Sequence, residues 1–119
     1  MRATAEKDQE LAAQIALIEQ KYPRNEKGSR ILHLLHPVTL FEQQTPVSEV
    51  HFRAVRTKDV RDFPVDPKSI AMGNLLDIAT RIWDQPAALM DKLHGEDRAA
   101  VLELSGFLLG NFLGIGVGP

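Results

Sequence analysis

The chain has 119 residues, a quarter of them charged, with a net charge of −2 and no cysteine. This length suits one domain with a modest core. The near balance of charge gives no electrostatic case for nucleic acid or an anionic membrane, and the missing cysteines exclude disulfides and thiolate metal sites. The opening MRATAEKDQE is polar and acidic rather than basic and then apolar, so it does not read as a secretory signal. The apolar runs fall short of the ~20 residues that span a bilayer. The expected location is the cytoplasm.

Residues 4–22 predict a helix, with Leu11, Ile15, Ile18 and Tyr22 spaced by three or four among charged and amide residues. Pro23 stops it. The run at 23–30 holds no apolar residue and reads as a flexible linker. Residues 1–30 are therefore expected to form a helical arm and linker, outside the main domain. The stripe Leu11, Ile15 and Ile18 is narrow and needs a partner surface, which makes it the candidate oligomerisation element.

From Arg30 to Arg56 the period changes to two. Val38 and Leu40 flank Thr39, while Val50, Phe52 and Ala54 alternate with His51 and Arg53. This predicts a β-hairpin between Leu34 and Val55 with a wide turn. Pro37 lacks a backbone donor and belongs at a strand start or edge. An isolated hairpin is marginal, so it must pack on helices.

After the hairpin the chain reads as helical. Thr57 is placed to cap a short helix over TKDVRDF. Asp66-Pro67 supplies an acceptor at the N-cap and proline at the first helical position. The helix it opens runs to about Trp83, with Met72, Leu75, Leu76, Ala79 and Ile82 on one face. Trp83 is expected as a core anchor. Pro86 begins a shorter helix carrying Leu89, Met90 and Leu93, and Gly95 ends it. The final helix is read over Ala99 to Leu113, with Glu96 and Asp97 near its start, where acidic groups suit the positive helix end. The expected fold is helix-dominated α+β: one hairpin, then a small bundle of three or four helices, after an N-terminal helical arm.

The final helix carries two apolar stripes. Val101, Leu104, Leu108 and Phe112 form one; Leu102, Leu109 and Leu113 form the other, with Phe107 adding to the surface. A helix that only lines a small core needs a single stripe about 100° wide. Leu102, Phe107, Leu109, Phe112 and Leu113 are therefore the candidate partner-binding residues.

Catalytic sets are hard to find. His33 and His36 are three apart and His51 lies across the hairpin, but zinc wants three or four converging ligands. Strand positions three apart point to opposite faces. The Gly-rich end, GNFLGIGVGP, lacks the following helix that makes a dinucleotide loop work. The acidic residues read as helix caps and solvated faces. Arg53, Arg56, Lys58 and Arg61 read as a solvated basic face. No metal, cofactor or enzymatic activity is expected.

The order of features from Ile31 to Phe112 resembles the tail assembly chaperones of Mu-like and related contractile-tailed bacteriophages. The residues that carry this are Leu34-Leu35-His36-Pro37-Val38, then Val50-His51-Phe52-Arg53, then Thr57-Lys58-Asp59-Val60. Leu75 through Ile82 follows, then Leu89-Met90-Asp91-Lys92-Leu93, then Leu93 through Asp97, ending in Leu104 through Phe107. The resemblance covers residues 31–113 and leaves the arm and the tail at 114–119 outside it. It implies a non-catalytic protein that binds the long, helix-rich tape measure protein and keeps it soluble until the tail tube forms. It also implies the cytoplasm of a bacterial host, absence from the finished virion, self-association, and a frameshift-extended longer form. Two other readings stand beside it. One is a self-associating structural component without chaperone activity; the other is a small metal-binding protein using His33, His36 and His51.

Overall fold

A computed structural model describes residues 2–42, 44–62 and 72–114. The element order is helix α1 (Arg2–Lys21), strand β1 (Arg30–Val38), strand β2 (Val47–Phe52), helix α2 (Thr57–Val60), helix α3 (Met72–Ile82), a 3₁₀ helix (Ala87–Lys92) and helix α4 (Gly95–Leu113). The protein is a helix-dominated α+β fold with a single antiparallel hairpin among its described residues. The expected helix start at Asp66-Pro67 lies outside the described residues.

The hairpin is built on alternation. Leu32, Val50 and Phe52 are buried on one face, while His33 and Glu49 face outward as register partners. The ladder then breaks. His33 pairs with Glu49, but Val38 pairs with Val47, so five steps along β1 match two along β2. The three surplus residues make a bulge that contains Pro37, which has no N–H to give a ladder. Asp97, in the first turn of α4, holds the bulge. The Leu35 N–H donates to Asp97 Oδ1 at 2.8 Å and the His36 N–H donates to Oδ2 at 3.0 Å. Asp97 is 1% exposed. It therefore ties strand to helix and is far more than a solvated dipole partner. Its carboxylate also sits where the helix end favours negative charge.

The outer edge of β2 is covered by the residues that end α3. The Arg53 N–H donates to the Ile82 carbonyl at 3.0 Å and the Asp84 N–H to the His51 carbonyl at 3.1 Å. The His51 N–H donates to Asp84 Oδ1 at 2.9 Å. The segment thus acts as a minimal third strand and removes a sticky edge. It also plants Trp83 in the core, its ring centroid 6.1 Å from that of Phe52. Ile78, Ala79 and Ile82 of α3 and Val101, Leu104, Leu108 and Leu109 of α4 complete that core. The Trp83 Nε1–H and Ser105 Oγ are buried without a hydrogen-bond partner among the described residues.

Three local expectations change. The segment 23–30 is a closed loop and not a flexible linker: Asn25 Oδ1 accepts the N–H groups of Lys27 and Ser29, both at 2.9 Å. The Ile31 N–H donates to the Pro23 carbonyl, and Gly28 takes the left-handed φ of 82° that the turn requires. Arg56, not Thr57, is the N-cap of α2, its N–H donating to Asp59 Oδ2 at 2.8 Å. The helix after Pro86 is 3₁₀, and α4 starts at Gly95, so that glycine opens a helix where a break was expected. Gly114, with φ of 72°, closes α4 in the left-handed conformation.

Helix α1 stands largely off the body, which gives a long axis of 59 Å against 31 and 28 Å. It docks through its last turns. Ile18 lies against the core and Tyr22, just past the helix, is buried in it. The Tyr22 hydroxyl and Lys21 Nζ both donate to Glu103 Oε1 on α4, at 2.9 and 3.1 Å. Burial pushes Glu103 up, but hydrogen bonds from Tyr22 and Lys21 outweigh it and leave its carboxyl below the ordinary value. This docking sets where the chain can be cut. Removing residues 1–13 is expected to leave the thermal midpoint within about 3 °C of the full chain, since a change of under ~1 kcal/mol moves a domain of this size by a few degrees. Removing 1–29 takes Tyr22 out of the core and is expected to abolish cooperative unfolding. Thermal melts by circular dichroism check both; equal behaviour of the two truncations would contradict the docking.

Candidate partner-binding surface

The candidate surface lies on two helices. On α4, the face carrying Val101, Leu104, Leu108 and Leu109 turns inward. Leu102, Phe107 and Leu113 are half-buried on its flanks, and Phe112 is 38% exposed at its end. The expected second stripe is therefore split. Leu109 is fully buried and belongs to the core, so it drops out of the candidate surface. The reason is the 3.6-residue period: Leu109 sits one turn after the inward Ser105 and closes the buried arc on that side, while Leu102 and Leu113 fall just beyond it at the border. Asp at 109 would unfold the domain and says nothing about binding.

On α1, Ile15 and Ile18 are half-buried and Leu17 is 64% exposed. The side chain of Leu11 is outside the described residues. Leu17, Ile18 and Gln14 of α1, with Glu103 of α4, line an open cleft of about 720 Å³. Leu17 falls outside the stripe of Leu11, Ile15 and Ile18, and periodicity alone missed it. Two further exposed apolar side chains, Leu35 in the β1 bulge and Phe41 in the hairpin turn, were also missed. Leu35 faces outward by the same alternation that buries Leu32 and Leu34, and the bulge breaks that alternation only from His36 onward.

The three histidines do not share one site: His33 and His51 both lie against Glu49, and His36 stands apart. His51 Nε2 lies 3.0 Å from Glu49 and its Nδ1 3.2 Å from Asp84, while His33 Nδ1 is 3.7 Å from Glu49. His36 is elsewhere, stacked on His94 with centroids 4.4 Å apart. Among the described residues, no group of three or more such side chains could hold a metal.

The basic face is partly internal. Arg53 clamps Asp59 through two parallel bonds of 2.8 Å, and Asp59 is 3% exposed. The hydrogen bond from Arg53 holds the Asp59 carboxyl below its ordinary range, outweighing the opposing effect of burial. Arg53 also donates to the Arg81 carbonyl, and Arg81 donates to the Asp59 carbonyl. This knot ties β2, α2 and α3 together. Arg56, Lys58 and Arg61 stay at the surface.

Among the described residues, no helix is long and apolar enough to cross a membrane. Comparison with protein-family models, curated proteins and solved structures finds no match to this chain.

Proposed function

We propose that this protein is a non-catalytic tail assembly chaperone that binds the tape measure protein and keeps it soluble until the tail tube polymerises. The observation that carries this reading is the off-standing helix α1, which keeps Leu17 in solvent beside an apolar cleft against α4. A long helix of a client, amphipathic and poor in solubility alone, suits such a cleft, because helix-in-groove binding reads anchors spaced by three and four. The order of motifs from Ile31 to Phe112 supports the same reading through its resemblance to that family. Self-association and a frameshift-extended form belong to the same proposal, as does action in the cytoplasm of a bacterial host.

The test is a binding assay between the full chain and a tape measure protein. Leu17→Asp and Phe112→Asp change exposed side chains, so each should keep the thermal midpoint near wild type. Together they are expected to weaken binding at least about 30-fold, the equivalent of one lost anchor of ~2 kcal/mol. Unchanged binding by a folded double variant would show that the client does not bind at this surface.

A further inference from the structure

The edge of β1 that faces away from β2 is only partly covered. At its start the chain covers it with its own backbone. Residues 23–25 run antiparallel to 29–31, the Asn25 N–H donating to the Ser29 carbonyl and the Ile31 N–H to the Pro23 carbonyl, both at 2.8 Å. The cover stops there, because the chain before this stretch is helix α1. It resumes at Leu35 and His36, whose N–H groups are taken by Asp97. His33 lies in the gap.

The register fixes which way the main chain of His33 points. Opposite residues of an antiparallel pair alternate between those that exchange two bonds and those that turn their main-chain groups away from each other. His51 sends its N–H and its carbonyl to Asp84, away from its partner Ile31, and Ile31 sends its N–H to Pro23. His33 and Glu49, two steps along, share that phase, so the N–H and carbonyl of His33 point away from β2. Among the described residues neither group meets a partner on that side. His33 lines a hollow of about 300 Å³ whose walls also include Tyr22, next to the cover at Pro23, and Asp97, which takes the Leu35 N–H. The hollow therefore lies along this edge, between the two covers. Its far wall is α4, where Ala99 and Ala100 present only methyl groups. Of its carboxylates, Glu103 is held by Lys21 and Tyr22, and Asp97 is spent on the bulge. Glu96 is exposed, stands 3.8 Å from the His36 ring, and has no lysine or arginine partner among the described residues.

We propose that the open edge of β1 at His33 receives an extended, basic segment of a partner polypeptide, added antiparallel to β1 in line with residues 23–25. Open main-chain groups along a strand edge are met by the main chain of another strand. One incoming residue exchanges two bonds with His33. Its two neighbours turn their side chains the way Leu32 and Leu34 turn theirs, toward α4, where the two alanines leave room. Glu96 supplies the charge preference, since it is the carboxylate of this hollow that no side chain of the described residues neutralises. A second copy of the chain does not fit: its own β1 edge is recessed between the same two helices, and its β2 edge is covered by the residues that end α3. The proposal rests on the reading of the chain as a partner-binding protein and names the conformation and charge of one segment that the partner presents.

The test uses the full chain, uniformly labelled with ¹⁵N, and three peptides: acetyl-Val-Lys-Val-Lys-Val-amide, the same peptide with both lysines replaced by glutamate, and the lysine peptide N-methylated at its three central residues. The lysine peptide is expected to shift the backbone amides of His33, Glu96 and Ala100 saturably. The N-methylated form should bind at least about tenfold more weakly, because it has lost the main-chain donors that a strand needs. The glutamate form should bind at least about fivefold more weakly, through repulsion from Glu96. Glu96→Gln, an exposed substitution, should bring the lysine and glutamate peptides to within about twofold of each other and leave the rest of the spectrum in place. No saturable shift at His33, equal binding of the parent and N-methylated peptides, or a charge preference that survives Glu96→Gln would overturn the proposal. These shifts are read without the tape measure protein, so this inference and the functional reading fail separately.

Discussion

Asp97→Ala is expected to destabilise the fold by about 3–5 kcal/mol, through two charge-assisted bonds of ~1.5–3 kcal/mol each. Both oxygens of this buried carboxylate are spent on the N–H groups of Leu35 and His36. Alanine leaves both N–H groups without their acceptor at the bulge, where Pro37 already denies the ladder a donor. Asp97→Asn keeps the size but offers one acceptor and turns an NH₂ toward the second N–H, so it should lose more than half of the same amount. Urea unfolding of the three proteins measures this directly. A loss under ~1 kcal/mol for Asp97→Ala would show that the bulge holds itself and that α4 only lies beside it.

The second large effect is expected at Asp59. Its partner Arg53 keeps 28% of its side chain exposed, so the loss is set below the ~3–5 kcal/mol of a fully buried pair. Asp59→Ala should cost about 2–3 kcal/mol, because it also frees the Arg56 N–H at the start of α2. Asp59 is lowered in the folded state. Its stabilisation is therefore present in full above the unfolded value of about 3.9 and is lost as the pH falls through the lower folded value. The wild type should lose stability below about pH 4 more steeply than Asp59→Ala does. Denaturant midpoints of both proteins from pH 7 to pH 3 test this; parallel curves would mean that the clamp contributes nothing through its charge.

These two carboxylates also mark what the sequence hides. The spacing of Val101, Leu104 and Leu108 shows the inward face of α4, and the alternation around Phe52 shows the hairpin, because both signals are local and periodic. Asp97 has the same local setting as Glu96, and both reach the bulge, but only Asp97 is buried and accepts its backbone N–H groups, while Glu96 stays exposed 3.8 Å from the His36 ring. The bulge itself leaves no trace beyond Pro37. Asn25 turned an apparent linker into a closed loop by accepting two N–H groups, a bond pattern that composition cannot separate from a mobile polar run. At the candidate surface, periodicity marked Leu102, Phe107 and Leu113 as surplus to the stripe of Val101, Leu104, Leu108 and Phe112, and it included Leu109 because spacing alone does not tell how wide the buried arc of α4 is. Leu17 was missed for the converse reason: an off-register leucine on an amphipathic helix carries no periodic signal, and only the stand-off of α1 makes it exposed.

We propose that this chain keeps a tape measure protein in solution. The most direct measurement is the soluble yield of that protein when expressed alone, with this chain, and with the Leu17→Asp, Phe112→Asp double variant. The expected result is an aggregated tape measure protein alone, a soluble complex with the wild-type chain, and aggregation again with the folded double variant. A tape measure protein that is equally soluble with and without this chain would contradict it.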